Sequence, residues 1–151
     1  MRIIYYSYWG TYAAYMMAAL HTGVYSPEEF PDDDRIRGQY EMCRRYGEQA
    51  GNLIYVGLDE DCREVYTLGC RRHEGMLVRA IRNMNVVFDI REPVLFFPAR
   101  PREGILPYYL QHRRFRNGSR CAKWFHTWFL RHYKACAGAV EEIKQSLKDG
   151  T

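Results

Sequence analysis

The chain has 151 residues, 47% of them hydrophobic and 26% charged, which suits one domain spanning residues 1–151 with a proper core. It has no run of about eighteen apolar residues and no small-residue cleavage site after its first residues, so we expect neither a membrane-spanning helix nor a signal peptide. The net charge of +4 is concentrated in residues 101–151, which carry ten basic and four acidic side chains.

Residues 3–6 form a short apolar and aromatic run, which is typical of a buried strand. Residues 13–21 are mostly good helix formers and end near Gly23, a normal helix stop. Strand, tight loop and helix open an α/β domain, in which ligands bind at the carboxyl ends of strands. The loop between them is therefore the predicted ligand-binding site, formed by Ser7, Trp9, Gly10, Thr11 and Tyr12.

The connector that follows contains a second predicted helix. The Ser-Pro-Glu-Glu segment at residues 26–29 is typical of a helix start, and the three aspartates at 32–34 are predicted to form a solvated turn. Residues 36–46 then favour a short helix closed by Gly47.

Residues 52–57 and 64–69 are both typical strands. Only six residues separate them, too few for a helical crossover, so the pair is predicted to be an antiparallel hairpin. An amphipathic helix over residues 75–88 and an apolar strand over 94–97 follow. Together these elements predict an α/β fold: a single three-layer domain with a central mixed sheet, its first strand central, one antiparallel hairpin and flanking helices.

Arg71 and Arg72 lie just before the amphipathic helix, where cations can meet an anion at a helix N-terminus. We add both to the predicted ligand-binding residues, with a plain solvated turn as the alternative. The thiol of Cys70 is predicted to have a lowered pKa beside these cations.

The last third combines basic and aromatic residues. A helix is predicted over residues 105–111, a basic turn over 113–118, a strand over 123–130 and an amphipathic helix over 135–148. Interleaved cations and aromatic rings are typical of nucleic-acid or polyanion binding, although a solvated basic face explains them as well. The residues of this alternative site are Arg113, Arg114, Arg116, Arg120, Lys123 and Trp124.

Metal and cofactor chemistry is not indicated. The five cysteines are an odd number without a C-x-x-C pair, which argues against a disulfide framework and a zinc site. No Walker-type loop is present, and the histidines do not have metal-ligand spacing. We predict no metal, no cofactor and the reducing cytoplasm as the compartment.

Three pairs or runs of residues carry a family resemblance: 3–11 with 18–23, 55–60 with 64–69, and 140–144. Their order and spacing resemble a family of short proteins from spore-forming bacteria, known only as a domain of unknown function. The resemblance implies a small cytosolic α/β protein without an established activity. In that family the first loop carries a cysteine, a glycine pair, and a histidine followed by serines, and this chain has Ser7, Trp9-Gly10, Tyr12 and Ala13-Ala14 there.

The family loop is also similar to the strand–Cys-x5-Arg-Ser–helix cradle of low-molecular-weight phosphatases. Ser7 then stands at the nucleophile position and Ala13 at the arginine position. A serine without a base beside it in the sequence is a poor nucleophile, and alanine cannot hold an anion. We therefore expect no phosphatase activity unless a distant base, such as His73 or His126, reaches Ser7.

Three functions follow from these observations. The first is a non-catalytic binding or partner-interaction domain with a small-anion pocket at the first strand–helix loop. The second is a nucleic-acid or polyanion binder, and the third is an enzyme of phosphate chemistry. On the first hypothesis Gly10 lets the backbone approach an anion, so Gly10→Val is expected to abolish binding and leave the fold intact.

Overall fold

A computed structural model describes residues 1–99, 103–112 and 119–150. The strands in these ranges are β1 (Arg2–Ser7), β2 (Leu53–Leu58), β3 (Glu64–Gly69) and β4 (Val94–Pro98). The helices are α1 (Ala13–His21), α2 (Asp33–Tyr46), α3 (Glu74–Val87), α4 (Leu106–Gln111) and α5 (Ser119–Asp149).

The strands form one mixed sheet in the order β2-β3-β1-β4. β1 pairs in parallel with β3 on one side and with β4 on the other, whereas β2 and β3 form an antiparallel hairpin. The predicted α/β fold with a central first strand is confirmed. Because β1, β3 and β4 are parallel, their carboxyl ends meet at one edge of the sheet, which we call the strand-end edge.

One face of the sheet carries the larger core. α1 is apolar all around its axis, the pattern of a helix buried on every side, and only Tyr15 among its residues is not buried. It packs between the sheet and α5, over Ile3, Tyr5 and Val65 of the strands. α2 and α4 in turn pack against α5 on this face.

The opposite face is covered by α3. Its Leu77 and Ile81 pack on Ile4 and Leu68 of the sheet, which completes the predicted three layers. The helices that follow the neighbouring strands β1 and β3 therefore lie on opposite faces. In open α/β sheets such a topological switch point opens a crevice at the carboxyl ends of the two strands, where ligands bind.

The predicted helix start in the Ser-Pro-Glu-Glu segment is wrong, and so is the solvated turn after it. α2 begins at Asp33 because the side chain of Asp32 accepts a hydrogen bond from the backbone N–H of Arg35, at 2.8 Å. The carboxylates of the first turn complement the helix dipole. Pro31 disfavours helical backbone at the residue before it, so a helix starting in that segment would end at once.

The strand predicted over residues 123–130 is also wrong, because these residues belong to α5. Buried residues recur along this helix at three- and four-residue steps: Cys121, Phe125, Trp128, Phe129, Tyr133, Cys136 and Val140. This stripe continues without a break into the helix predicted over 135–148. The helical period therefore overrides the local strand preference of the aromatic residues.

A buried hydrogen-bonded chain links β1, α1 and the hairpin. The Tyr5 hydroxyl lies 2.6 Å from His21 Nδ1, and His21 Nε2 lies 3.2 Å from an oxygen of Asp59. Since an ionised carboxylate only accepts, we assign the proton to Nε2, and Tyr5 donates to Nδ1. Burial lowers the pKa of His21, although Asp59 opposes this, so the imidazole is neutral at pH 7.

Candidate functional site

The loops after β1 and β3 are joined at the strand-end edge by backbone hydrogen bonds. The N–H of Cys70 donates to the carbonyl of Ser7 at 2.9 Å, and that of Arg71 donates to the carbonyl of Tyr8 at 3.0 Å. The structure therefore brings together the two segments that the sequence singles out as ligand-binding, one on each side of the switch point.

Gly10 is required by the contact between these loops. Its φ of +79° favours glycine, and a Cβ on Gly10 would lie 2.4 Å from the backbone nitrogen of Gly69. The carbonyl of Gly10 also accepts a hydrogen bond from the Thr67 hydroxyl. The expectation that Gly10→Val leaves the fold intact is therefore wrong, because the space above Gly10 is filled by β3 backbone.

Ser7, Thr11 and Tyr12 are buried and form the base of the first loop. Ser7 Oγ accepts a hydrogen bond from the Gly10 N–H at 2.9 Å. The Tyr12 hydroxyl accepts one from Gln111 Nε2 at 2.7 Å, and burial raises the pKa of Tyr12 well above its ordinary value. These side chains support the loop from below and do not face solvent.

A carboxylate that the sequence does not indicate reaches Ser7. Ser7 Oγ donates to Oε1 of Glu103 at 3.0 Å, across 96 positions of sequence. Neither histidine proposed as a distant base is its partner, since His73 is exposed and His126 lies 3.1 Å from an oxygen of Asp33. No sequence motif indicates that Glu103 belongs to this site, and its position just after β4 is the only feature of the sequence that points to it.

Arg71 holds Trp9 in position. Its guanidinium carbon lies 4.1 Å from the centre of the Trp9 ring and 5.5 Å from that of Tyr8, the geometry of a cation–π contact. Its Nη2 donates to the carbonyl of Gly47 at 3.0 Å. The lowered pKa predicted for Cys70 is wrong, because burial, followed by the charge of Glu74, raises the pKa of this thiol to about 11.

A cleft of about 630 Å³, here named the strand-end cleft, opens beside these loops. Its lining consists of Tyr8, Trp9, Arg72, Glu103, Gly104, Ile105, Tyr108 and Tyr109. Arg72 is exposed, and its side chain makes no hydrogen bond or ion pair with the residues that the structure describes. The cleft thus combines flat aromatic faces, an available guanidinium and, through Glu103, a carboxylate.

A second cleft of about 600 Å³ lies between α4 and α5 and shares Gly104, Ile105 and Tyr109 with the first. Trp124, which is 40% exposed, and Arg131 line it. Of the residues predicted to bind nucleic acid, Arg120, Lys123 and Trp124 lie on the exposed surface of α5. The other three lie outside the described residues: Arg113, Arg114 and Arg116.

Within residues 1–99, 103–112 and 119–150, no cluster of three or more histidine, cysteine, aspartate or glutamate side chains is arranged to hold a metal ion. None of the helices in those ranges combines the length and apolarity that crossing a membrane requires.

A family model described as "Protein of unknown function (DUF3189)" matches residues 2–145. No curated protein and no solved structure matches the chain.

Proposed function

Because the chain belongs to the DUF3189 family of proteins of unknown function, we propose its role from the site alone. It is a non-catalytic binding or partner-interaction domain that takes a small anionic ligand in the strand-end cleft. The observation that carries this proposal is Arg72, an exposed guanidinium without a partner among the described residues, which lines a cleft at the switch point of the sheet.

The lining also supports a chemical class for the ligand. Tyr8, Trp9, Tyr108 and Tyr109 offer aromatic faces, which favour a flat ring, while a guanidinium favours a carboxylate or phosphate. Gly10 and Arg71 form the frame of the site. The backbone of Gly69 covers Gly10, and the ring of Trp9 covers the guanidinium of Arg71. Ser7, Thr11 and Tyr12 lie beneath them. A small planar molecule with one anionic group fits this arrangement.

Arg72→Ala is expected to weaken binding of adenosine monophosphate, a probe with a ring and a phosphate, by about tenfold or more. One charge-assisted hydrogen bond contributes about 1.5–3 kcal/mol, and about 1.4 kcal/mol is a factor of ten in affinity. Titration calorimetry, with intrinsic tryptophan fluorescence as a second signal, measures the change.

Arg91→Ala is the matched control. This arginine precedes β4 at the opposite edge of the sheet, and its side chain is 89% exposed. The control removes the same charge without touching the cleft, so its affinity should stay that of the unsubstituted protein. Equal losses in both variants, or no binding at millimolar probe, would contradict the proposal.

Binding of a single-stranded nucleic acid is the second candidate, and one observation favours it. Arg120, Trp124 and Arg131 lie at steps of four and seven residues on α5, and all three are exposed, so a ring stands between two cations on one stripe. Alternating cations and rings favour binding of single-stranded nucleic acid, because the rings stack on bases and the cations neutralise phosphates. The basic segment with Arg113, Arg114 and Arg116 leads into this helix.

If this second function holds, the logarithm of the affinity for an oligonucleotide falls linearly with the logarithm of salt concentration, by about 0.7–0.9 per phosphate contact. Changing Arg113, Arg114 and Arg116 to alanine is then expected to flatten the slope. Fluorescence anisotropy with a labelled oligothymidylate measures the affinities of the unsubstituted protein and of the triple variant at each salt concentration. Millimolar affinity at physiological salt, or an unchanged slope, would leave only a solvated basic face.

The proposal does not include phosphate chemistry. The Ser7 hydroxyl is fully buried and already both donates and accepts, and Ala13 supplies no guanidinium for a transferring phosphoryl group. The cytoplasm belongs to the proposal as the compartment. All five cysteines are free, and four of them are buried, which is compatible with a reducing environment.

A further inference from the structure

Glu103 is a buried acid at the strand-end edge. Only 3% of its surface is exposed, and its Oε1 accepts the hydrogen bond from Ser7 Oγ at 3.0 Å. Removing a carboxylate from water is costly unless its charge is met by hydrogen bonds or an opposite charge. An apolar side chain would fill the same space without that cost, so the position calls for an explanation in terms of the carboxylate itself.

The carboxylate sits where α/β folds bind anions. Ser7 is the last residue of β1, at the switch point and next to the loop that leads into α1. Because the Gly10 N–H donates to Ser7 Oγ, the serine hydroxyl has its own proton available for an oxygen in front of it. The loop thus presents a donor to an anion, and Glu103 is the anion it meets.

The same loop also contains a buried polar atom without a hydrogen-bond partner among the described residues. Thr11 is 1% exposed, and its Oγ1 has no hydrogen-bond partner among the described residues. Buried polar atoms are rarely left without a partner, and exceptions are frequent where a water or ligand belongs.

The backbone of Glu103 is also held in place by α5. Its carbonyl accepts a hydrogen bond from Trp128 Nε1 of α5 at 2.8 Å. The next residue, Gly104, has a φ of +70°, and a Cβ on it would lie 3.5 Å from the ring of His132. The backbone is therefore anchored to α5 while the side chain reaches into the first loop, as a tethered ligand would.

We propose that the pocket at Ser7 is a carboxylate-binding site whose resident occupant is Glu103. An outside ligand of the same class, a small carboxylate, fits the pocket when the Glu103 side chain is absent. The inference rests on the proposed function, since Glu103 also lines the strand-end cleft, and it adds that the protein's own carboxylate closes the inner end of that cleft.

The test is rescue of Glu103→Ala by acetate. The substitution leaves a vacancy of carboxylate size, so sodium acetate is expected to raise the melting temperature of this variant by about 3 °C or more at ten times its Kd, relative to equal sodium chloride. The double variant Ser7→Ala/Glu103→Ala lacks the Ser7 donor and should show a smaller acetate-specific rise than Glu103→Ala. The unsubstituted protein, whose pocket is filled, should show none.

An equal response of all three proteins to acetate, or no response of Glu103→Ala, would overturn the inference. If Glu103→Ala fails to fold in chloride, circular dichroism in acetate gives the same decision. Recovery of helicity in acetate supports the inference, and a variant that stays unfolded in acetate contradicts it. The outcome is separate from the proposed function. Failure of adenosine monophosphate to bind the unsubstituted protein removes that function, whereas loss of acetate rescue removes only the role of Glu103.

Discussion

Gly10→Val is expected to lower the free energy of unfolding by about 3 kcal/mol or more. A β-branched residue at a φ of +79° carries backbone strain of about 1–3 kcal/mol. The added side chain must also displace the backbone of Gly69, which lies within 3 Å of the position of the new Cβ. β3 cannot move away, since it is hydrogen-bonded to β1 and β2 on its two sides. Urea unfolding followed by circular dichroism measures the loss.

Gly38→Ala is the matched control. Gly38 lies within α2, and nothing stands within 4 Å of the place where its Cβ would be. Alanine is the better helix former by about 1 kcal/mol, so this variant should be slightly more stable than the unsubstituted protein. A mild effect of Gly10→Val, comparable in size with that of the control, would mean that the two loops are not in contact.

Asp59→Ala is expected to destabilise the protein by about 3 kcal/mol or more. The Asp59 side chain is 4% exposed and accepts the backbone N–H groups of Asp61 and Arg63 at 2.9 and 2.8 Å. It also lies 3.2 Å from His21 Nε2. Alanine would leave a buried imidazole N–H without its partner and open the hairpin turn, and each unsatisfied buried donor costs about 1–3 kcal/mol.

The neighbouring Glu60 provides the comparison. Its side chain is 73% exposed and pairs with Lys144 at 3.3 Å, so Glu60→Ala should change stability by about 1 kcal/mol at most. Asp59→Asn keeps acceptors for the two turn bonds and should fall between the two variants. Equal unfolding midpoints for Asp59→Ala and Glu60→Ala would show that the link from hairpin to α1 contributes nothing.

The outline of the fold was predictable from local patterns. In the apolar run at residues 3–6, Ile3 and Tyr5 are buried on one face of the sheet and Ile4 on the other, with Tyr6 partly buried beside it, so the run shows no alternation, which marks an interior strand. The short spacing between β2 and β3 permits only a hairpin. The rule that ligands bind at strand carboxyl ends predicts a site in the loop after β1, and Trp9 and Arg72 line a cleft beside that loop.

What could not be predicted depends on contacts between distant segments. Ser7 and Glu103 are 96 positions apart, and no local pattern relates them. Residues 123–130 are rich in aromatic side chains that favour strands locally, yet burial of Phe125 and Phe129 against α1 and α2 decides for a helix. The sequence predicts that Gly10 is needed for a close approach, but only the register of β3 decides that Gly69, and not an anion, occupies the space above it.

The central position of β1 has a consequence for the order of folding. Arg2 and Glu64, which pair at the start of β1 and β3, are 62 positions apart, and β4 lies further along the chain. During synthesis β1 and the apolar α1 leave the ribosome before the strands that pair with β1 and before the helix that covers α1. β1 and α1, which are buried along almost their whole length, thus wait longest for the segments that cover them, and we expect them to be open to chaperones and to aggregation until α5 has been made.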